Sequence, residues 1–145
     1  MSLFGFTDGG CNPNPGPGRF AYMITDLKYN VITQFKSKVN LKTTNNIMEL
    51  SAIIKLLEDH GPELNTIYSD SNYCVKGITD WSKKWKLKGY LIKKGVFRPN
   101  KELWEKVSIL RDTYSHVKYM HVPAHTGKQD ILSVLNHSVD KLCEI

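Results

Sequence analysis

At 145 residues and 41% apolar content, the chain is long enough to bury one proper core, and a single domain over residues 1–145 is expected. It has no run of about 18 apolar residues, the length that would span a membrane, and Met1 to Asp8 lacks the basic and apolar regions of a secretory signal. The net charge of +6 is unevenly placed: between Lys76 and Lys101 nine basic residues stand against one acid, Asp80, so that window carries +8 and the rest of the chain −2. Such a segment suits a polyanionic partner, although a solvated lysine-rich surface has the same composition.

Leu3 to Asp8 reads as a short strand ending in Thr7-Asp8-Gly9-Gly10. Residues 9–18, Gly-Gly-Cys-Asn-Pro-Asn-Pro-Gly-Pro-Gly, predict a tight loop rather than regular structure. Arg19 to Asp26 alternates, with Phe20, Tyr22 and Ile24 on one side, and after a turn at Tyr29-Asn30 the alternation resumes from Val31 to Asn40. A helix is expected over 46–60, capped by Asn45 or Asn46 and ended by Gly61. Next come a strand from Asn65 to Ser69 ending at Asp70, a short helix from Ser71 to Ile78, a basic helix from Trp81 to Lys88, and a loop from Gly89 to Pro99. Leu103, Trp104, Val107, Leu110 and Tyr114 lie at helical spacing. A strand over His116–Val122, a loop over Pro123–Asp130 and a helix from Ile131 to about Cys143 complete the chain. The order implies an α/β domain: a five-stranded mixed sheet, three antiparallel strands and then parallel βαβ units, flanked by helices. Cys11, Cys74 and Cys143 form neither a disulfide framework nor a CxxC metal site, so a reducing, cytoplasmic setting is expected.

At about 100° per residue, the helix over 46–60 gathers Ser51, Lys55, Glu58 and Asp59 on a polar arc. Ile47, Leu50, Ile53, Ile54, Leu56 and Leu57 fill the opposite arc, and Glu49 points out of its middle. A carboxylate facing a core needs a partner, either a Lys or Arg or a metal ion. In such sheets, sites form beyond the carboxyl ends of strands. Asp8 ends the first strand and Asp70 the fourth, and a parallel pairing of the two would bring Glu49 to them. Three carboxylates that close require a cation. Hard oxygen ligands suit Mg²⁺ or Mn²⁺, and such a group can hold two ions for phosphoryl transfer. Taken singly, each motif has a plainer reading: Thr-Asp-Gly-Gly as a turn, Asp70-Ser71 as a helix N-cap, Asp140 as an exposed helical acid.

Together and in this order the motifs resemble type 1 ribonuclease H of the bacterial, single-domain kind. The resemblance rests on Thr-Asp-Gly-Gly-Cys-Asn-Pro-Asn-Pro-Gly-Pro-Gly (7–18), Thr-Thr-Asn-Asn-Ile-Met-Glu-Leu (43–50) and Ser-Asp-Ser-Asn-Tyr (69–73). It continues through Gly-Ile-Thr-Asp-Trp-Ser-Lys-Lys-Trp (77–85), Leu-Trp (103–104), Ala-His-Thr-Gly (124–127) and Asn-His-Ser-Val-Asp-Lys-Leu (136–142). It implies a ribonuclease H-like fold and endonucleolytic cleavage of the RNA strand of an RNA–DNA hybrid, leaving 5′-phosphate and 3′-hydroxyl ends. Asp8, Glu49, Asp70 and Asp140 fall on the family's four metal-binding carboxylates. The resemblance has them hold two Mg²⁺ ions, with Mn²⁺ as a substitute, Asp8 bridging the pair. One ion then activates the attacking water and the other stabilises the leaving 3′ oxygen. His125 matches a loop histidine that helps proton transfer or product release.

Asn14, Asn45, Asn46 and Asn72 align with polar groups that family members place in the minor groove of the hybrid, where the 2′-hydroxyl marks the RNA strand. Thr44 and Lys42 match a pocket for a DNA phosphate. The Trp81–Lys88 helix and the loop after it resemble the family's basic protrusion, about residues 76–101, which rides on the DNA strand through Trp81, Lys84, Trp85 and Lys86. Trp81 and Trp85 lie four apart and share a face, and aromatic faces beside cations suit a sugar–phosphate strand. Trp85 also fits a core position, and Trp104 reads as core. The chain departs from the pattern in that His125 and Asp140 lie fifteen positions apart, longer than in bacterial members, in Ala124 where Gly is usual, and in His137 where Glu is common. Rival readings are a resolvase or integrase type of nuclease on the same fold, a non-catalytic hybrid-binding module, and the detached domain of a reverse transcriptase. The first is not expected to carry Thr-Thr-Asn-Asn or the tryptophan-bearing protrusion, and the second predicts loss of an acid. The expected partner is an RNA–DNA hybrid rather than a membrane, bound in a salt-sensitive way by a monomer.

Overall fold

The computed structural model describes residues 2–124, 127 and 129–145. β1 (Leu3–Cys11) turns at Asn12–Pro15 into β2 (Gly16–Thr25). The loop expected over 9–18 therefore shrinks to its middle: Gly9, Gly10 and Cys11 pair with Phe20, Arg19 and Gly18 in an antiparallel ladder. The ladder overrides the weak strand propensity of glycine, and the Asn12 N–H closes the turn on the Pro17 carbonyl at 3.0 Å.

The third predicted strand is broken in two. β3 (Val31–Lys36) pairs with the Ala21–Thr25 half of β2, and β4 (Asn40–Thr43) pairs with its Gly16–Gly18 end. Ser37 lies at the break, where its hydroxyl accepts the Phe20 N–H at 3.0 Å in place of a ladder carbonyl.

α1 (Asn45–His60) leads through a 3₁₀ turn at Gly61–Glu63 to β5 (Leu64–Ser69), which pairs in parallel with β1. Thr44 caps this helix, not Asn45 or Asn46: its Oγ1 accepts the Ile47 N–H at 3.2 Å. Gly61 takes no left-handed cap either. At φ −43° it carries the coil onward, and Pro62 sits in the next turn, where its missing N–H is not needed.

After β5 come α2 (Asn72–Lys76), a π-helical turn at Gly77–Trp81 and α3 (Ser82–Leu87). Residues 89–99 are a hairpin rather than a loop, made of β6 (Leu91–Lys93) and β7 (Val96–Phe97). Lys93 pairs with Val96, which leaves Lys94-Gly95 as a two-residue turn with Gly95 at φ +75°. α4 (Lys101–Thr113), β8 (Lys118–His121) and α5 (Ile131–Leu142) follow. The strand order is β3-β2-β1-β5-β8, with β4 beside β2: antiparallel on one side of β1, parallel on the other. The mixed α/β sheet expected from the sequence is observed, with six strands rather than five because the third is broken into β3 and β4.

Both faces of the sheet are covered. Tyr22, Ile24 and Ile67 pack with Leu50, Leu57 and Trp104 on one side, while Phe6, Ala21, Met23 and Tyr68 pack with Leu135 and Val139 of α5 on the other. Trp104 is fully buried, as read. It joins α4 to the protrusion so closely that a Cβ at Gly77 would overlap its ring. Buried Arg111 on α4 anchors the same junction by donating to the Ile78 carbonyl at 3.0 Å, where the π-turn departs from α-helical bonding. Among the described residues no helix is long and apolar enough to cross a membrane.

Candidate active site

The parallel pairing of β1 and β5 ends at Thr7 beside Ser69, so Asp70 follows the carboxyl end of β5 while Asp8, expected at a strand end, stands next to it inside β1, still paired with Ala21 of β2. α1 crosses above them. Gly9 makes the crossing close: a Cβ there would overlap the Met48 carbonyl group and lie 2.7 Å from the Glu49 nitrogen. Through that gap the Glu49 side chain reaches the strand. The Gly9 N–H then donates to Asp8 Oδ1 at 2.9 Å and to Glu49 Oε1 at 2.7 Å, holding both carboxylates in place. Ser71, rather than Asp70, caps α2 by accepting the Cys74 N–H at 3.2 Å. Oxygens of Asp8, Glu49 and Asp70 all lie within 4.8 Å of one another.

The electrostatics follow from burial. Asp8 and Glu49 are 4% and 7% exposed. Among the ion pairs of the described residues, neither has a Lys or Arg partner, and Glu49 Oε2 is buried with no hydrogen bond. Desolvation first, then contact with Glu49, then Asp140 and Asp70 raise the Asp8 carboxyl far above the ordinary carboxylate range. Desolvation likewise raises Glu49, with the charge of Asp70 adding to it. The Lys or Arg that one reading of Glu49 required is not there among the described residues.

Asp140 arrives from the last turn of α5, near enough to Asp8 to add to the rise of its carboxyl. Cys143, one turn further, lines the same cleft as Asp140, and burial raises its thiol, with the four acids adding to the rise. A cleft of about 640 Å³ opens beside Asp140, with Gly10, Cys11, Asn12, Pro17 and Cys143 on its walls. On the opposite flank His121 Nε2 lies 3.2 Å from the Asp70 carbonyl oxygen.

Residues 2–144 match the RNase H family, and the chain is 36% identical over 145 residues to Ribonuclease HI of Haemophilus ducreyi, a match covering 97% of this chain and 86% of that one. The chain belongs to the ribonuclease H family. It is also 37% identical over 143 residues to Ribonuclease H of Paracidovorax citrulli, covering 94% and 93% of the two chains. In fold it is similar to LC11-RNase H1, solved in complex with an RNA/DNA hybrid, at a TM-score of 0.70 and 24% identity over 98% and 94% of the two chains. As a ribonuclease H, the chain is a nuclease for the RNA strand of RNA–DNA hybrids.

The other residues singled out in this ribonuclease H fall into two groups. Near the acids, Asn14 and Asn45 are joined: Asn14 Oδ1 accepts the Asn45 N–H at 3.2 Å, and Asn45 Oδ1 accepts the Cys11 N–H at 2.9 Å. Both side-chain oxygens face inward, so the exposed amides present their NH₂ groups outward. Asn46 and Asn72 are exposed in the first turns of α1 and α2, Lys42 is exposed on β4, and the Thr44 hydroxyl is engaged as the helix cap. His125 lies outside the described residues.

In the protrusion, Trp81 and Trp85 stand 6.1 Å apart, ring to ring, sharing a face. Trp85 is half-buried edge-on against Trp104 at 5.0 Å, and the Arg98 guanidinium covers its ring. Lys84 is exposed, while Lys86 is paired with Asp112 at 3.2 Å. Sequence reasoning passed over three residues that shape this surface: Gly9, Cys11 and Arg98. Gly9 had a signal in the Gly-Gly that follows an acid expected at a strand end; Cys11 and Arg98 are visible only through their spatial partners.

Proposed function

We propose that Asp8, Glu49, Asp70 and Asp140 hold two divalent ions, Mg²⁺ in the first instance, with which this enzyme hydrolyses the RNA strand of an RNA–DNA hybrid. The observation that carries the reading is the cluster itself: carboxylate oxygens of three acids within 4.8 Å, two of those acids buried and with no cationic side chain to answer them among the described residues. The buried, unpartnered Glu49 Oε2 fits a cation, as does an all-oxygen donor set. When bound, such ions lower the pKa of an attacking water and offset charge on the leaving 3′ oxygen.

The chain's own residues do the rest. The Gly9 N–H fixes the orientation of Asp8 and Glu49. Asn14 and Asn45, with Asn46 and Asn72, present donors to the minor groove, where 2′-hydroxyls distinguish RNA from DNA. Thr44 and Lys42 flank a DNA phosphate, and the protrusion lies along the DNA strand with Trp81, Lys84, Trp85 and Lys86. His125 assists proton transfer or product release.

The test presents one labelled RNA strand alone, in an RNA duplex and paired with DNA, each with Mg²⁺. Cutting of the paired-with-DNA form only is expected. Tight hybrid binding without cutting would identify a non-catalytic module, and cutting of duplex DNA would move the enzyme to the resolvase or integrase branch.

A further inference from the structure

We propose that Arg98 is the residue with which the protrusion grips a backbone phosphate of the nucleic acid, a reading that rests on the hybrid as substrate. Nine basic residues lie between 76 and 101, and they differ in how they are held. Lys86 is tied to Asp112 at 3.2 Å and Lys101 to Glu105 at 3.0 Å, so their charges are answered within the chain. Lys76, Lys83, Lys84, Lys88, Lys93 and Lys94 are exposed and have no ion pair among the described residues. Each must give up side-chain freedom to hold a phosphate.

Arg98 is held without being neutralised. Its guanidinium carbon lies 4.6 Å from the centroid of the Trp85 ring, a position stabilised by cation–π attraction and by stacking of two flat groups. Its Nε is buried with no oxygen partner, and among the described residues the side chain has no ion pair. A fixed, planar, uncompensated fork of donors is what bidentate phosphate recognition requires.

The backbone beneath is built to keep it there. The Arg98 N–H donates to the Tyr90 carbonyl at 2.8 Å, and the Tyr90 N–H donates to the Trp85 carbonyl at 2.7 Å. Tyr90 is buried, and its hydroxyl donates to Ser108 Oγ of α4 at 3.2 Å. Trp85 in turn stands against Trp104 in the core. From Trp104 to Trp85 to Arg98 the packing is continuous, so the guanidinium is preorganised on the rigid part of the domain.

The test compares the unchanged protein with Arg98→Gln, Arg98→Lys and Lys106→Gln. Hybrid binding is read by fluorescence anisotropy in EDTA, and KM and kcat by cleavage in Mg²⁺, from about 50 to 200 mM salt. Arg98→Gln is expected to weaken binding and raise KM about five- to tenfold, leave kcat within about twofold, and reduce the slope of log Kd against log salt by about one. Arg98→Lys restores the slope and part of the affinity. Lys106→Gln, whose charge is already answered by Glu58 at 3.4 Å and which lies outside the protrusion, shifts neither by more than about twofold. An unchanged salt slope in Arg98→Gln overturns the proposal, as does an equal loss in Lys106→Gln; a purely packing role would move thermal stability alone. If the unchanged protein binds the hybrid and cuts nothing, the function proposed above fails, while the anisotropy series still decides Arg98.

Discussion

Asp70→Asn is expected to abolish cleavage while leaving the fold and hybrid affinity intact. The substitution is nearly isosteric and removes one charge from the three-carboxylate cluster. Asparagine keeps the volume of the side chain, Ser71 caps α2 through its own hydroxyl, and the contact with His121 is to the Asp70 backbone, so the fold should hold. Charge stabilisation at the reacting phosphate is a large share of such catalysis, so a fall in kcat of at least about 10³, or roughly 4 kcal/mol, is anticipated. Single-turnover cleavage in Mg²⁺, anisotropy with labelled hybrid and a thermal melt together check this. Activity within tenfold of the unchanged protein would remove Asp70 from the reaction.

Asp8→Asn should destroy activity and at the same time make the metal-free protein more stable at neutral pH. Burial and its acidic neighbours raise Asp8 in the folded state, and Glu49 is raised with it. A carboxyl raised on folding binds its proton more tightly in the native than in the unfolded chain. Its favourable contribution is complete below the unfolded value of about 4 and is lost as pH climbs toward the raised native value. Metal-free protein should therefore melt at progressively lower temperature between about pH 5 and pH 8. Asp8→Asn should flatten that decline and melt higher at pH 8, by about 2 kcal/mol or roughly 4–8 °C. Mg²⁺ should close the gap by stabilising the unchanged protein more than the variant. Calorimetry in EDTA and in Mg²⁺ across this range is the check. A flat pH profile for the unchanged protein, or a lower melting point for Asp8→Asn at pH 8, would show that the carboxylates are not in conflict.

Asp70 and Glu49 could be read from the sequence because each stands at a place that local pattern defines, a strand end and the apolar arc of a helix; Asp8, expected at a strand end, lies inside β1 opposite Ala21, where only the parallel ladder to β5 stops. Their meeting depends on Gly9, whose role as a gap for α1 appears only once strand and helix are in contact. The helix cap shows another kind of limit. Thr44, Asn45 and Asn46 are all good capping residues, and the choice falls to Thr44 because Cys11 and Asn14 engage Asn45. Residues 9–18 look like a loop by composition, yet pairing with β2 carries β1 to Cys11. The β6–β7 hairpin went unread because three residues are too few to show alternation, although Lys94-Gly95 is a recognisable two-residue turn. Strands 3 and 4 were read as one because the break at Ser37 comes from a side-chain hydrogen bond that leaves no mark on the alternation.

The most direct measurement is the chemistry of the cut ends. A hybrid with uniquely labelled RNA is incubated with the protein in Mg²⁺ and, separately, in EDTA, and the product termini are mapped. Hydrolysis by water at a carboxylate-held metal site predicts 5′-phosphate and 3′-hydroxyl ends, formed in Mg²⁺ and absent in EDTA. Cutting that persists in EDTA, or ends bearing a 2′,3′-cyclic phosphate, would mean that the ribose 2′-hydroxyl is the nucleophile and that Asp8, Glu49, Asp70 and Asp140 serve some other purpose.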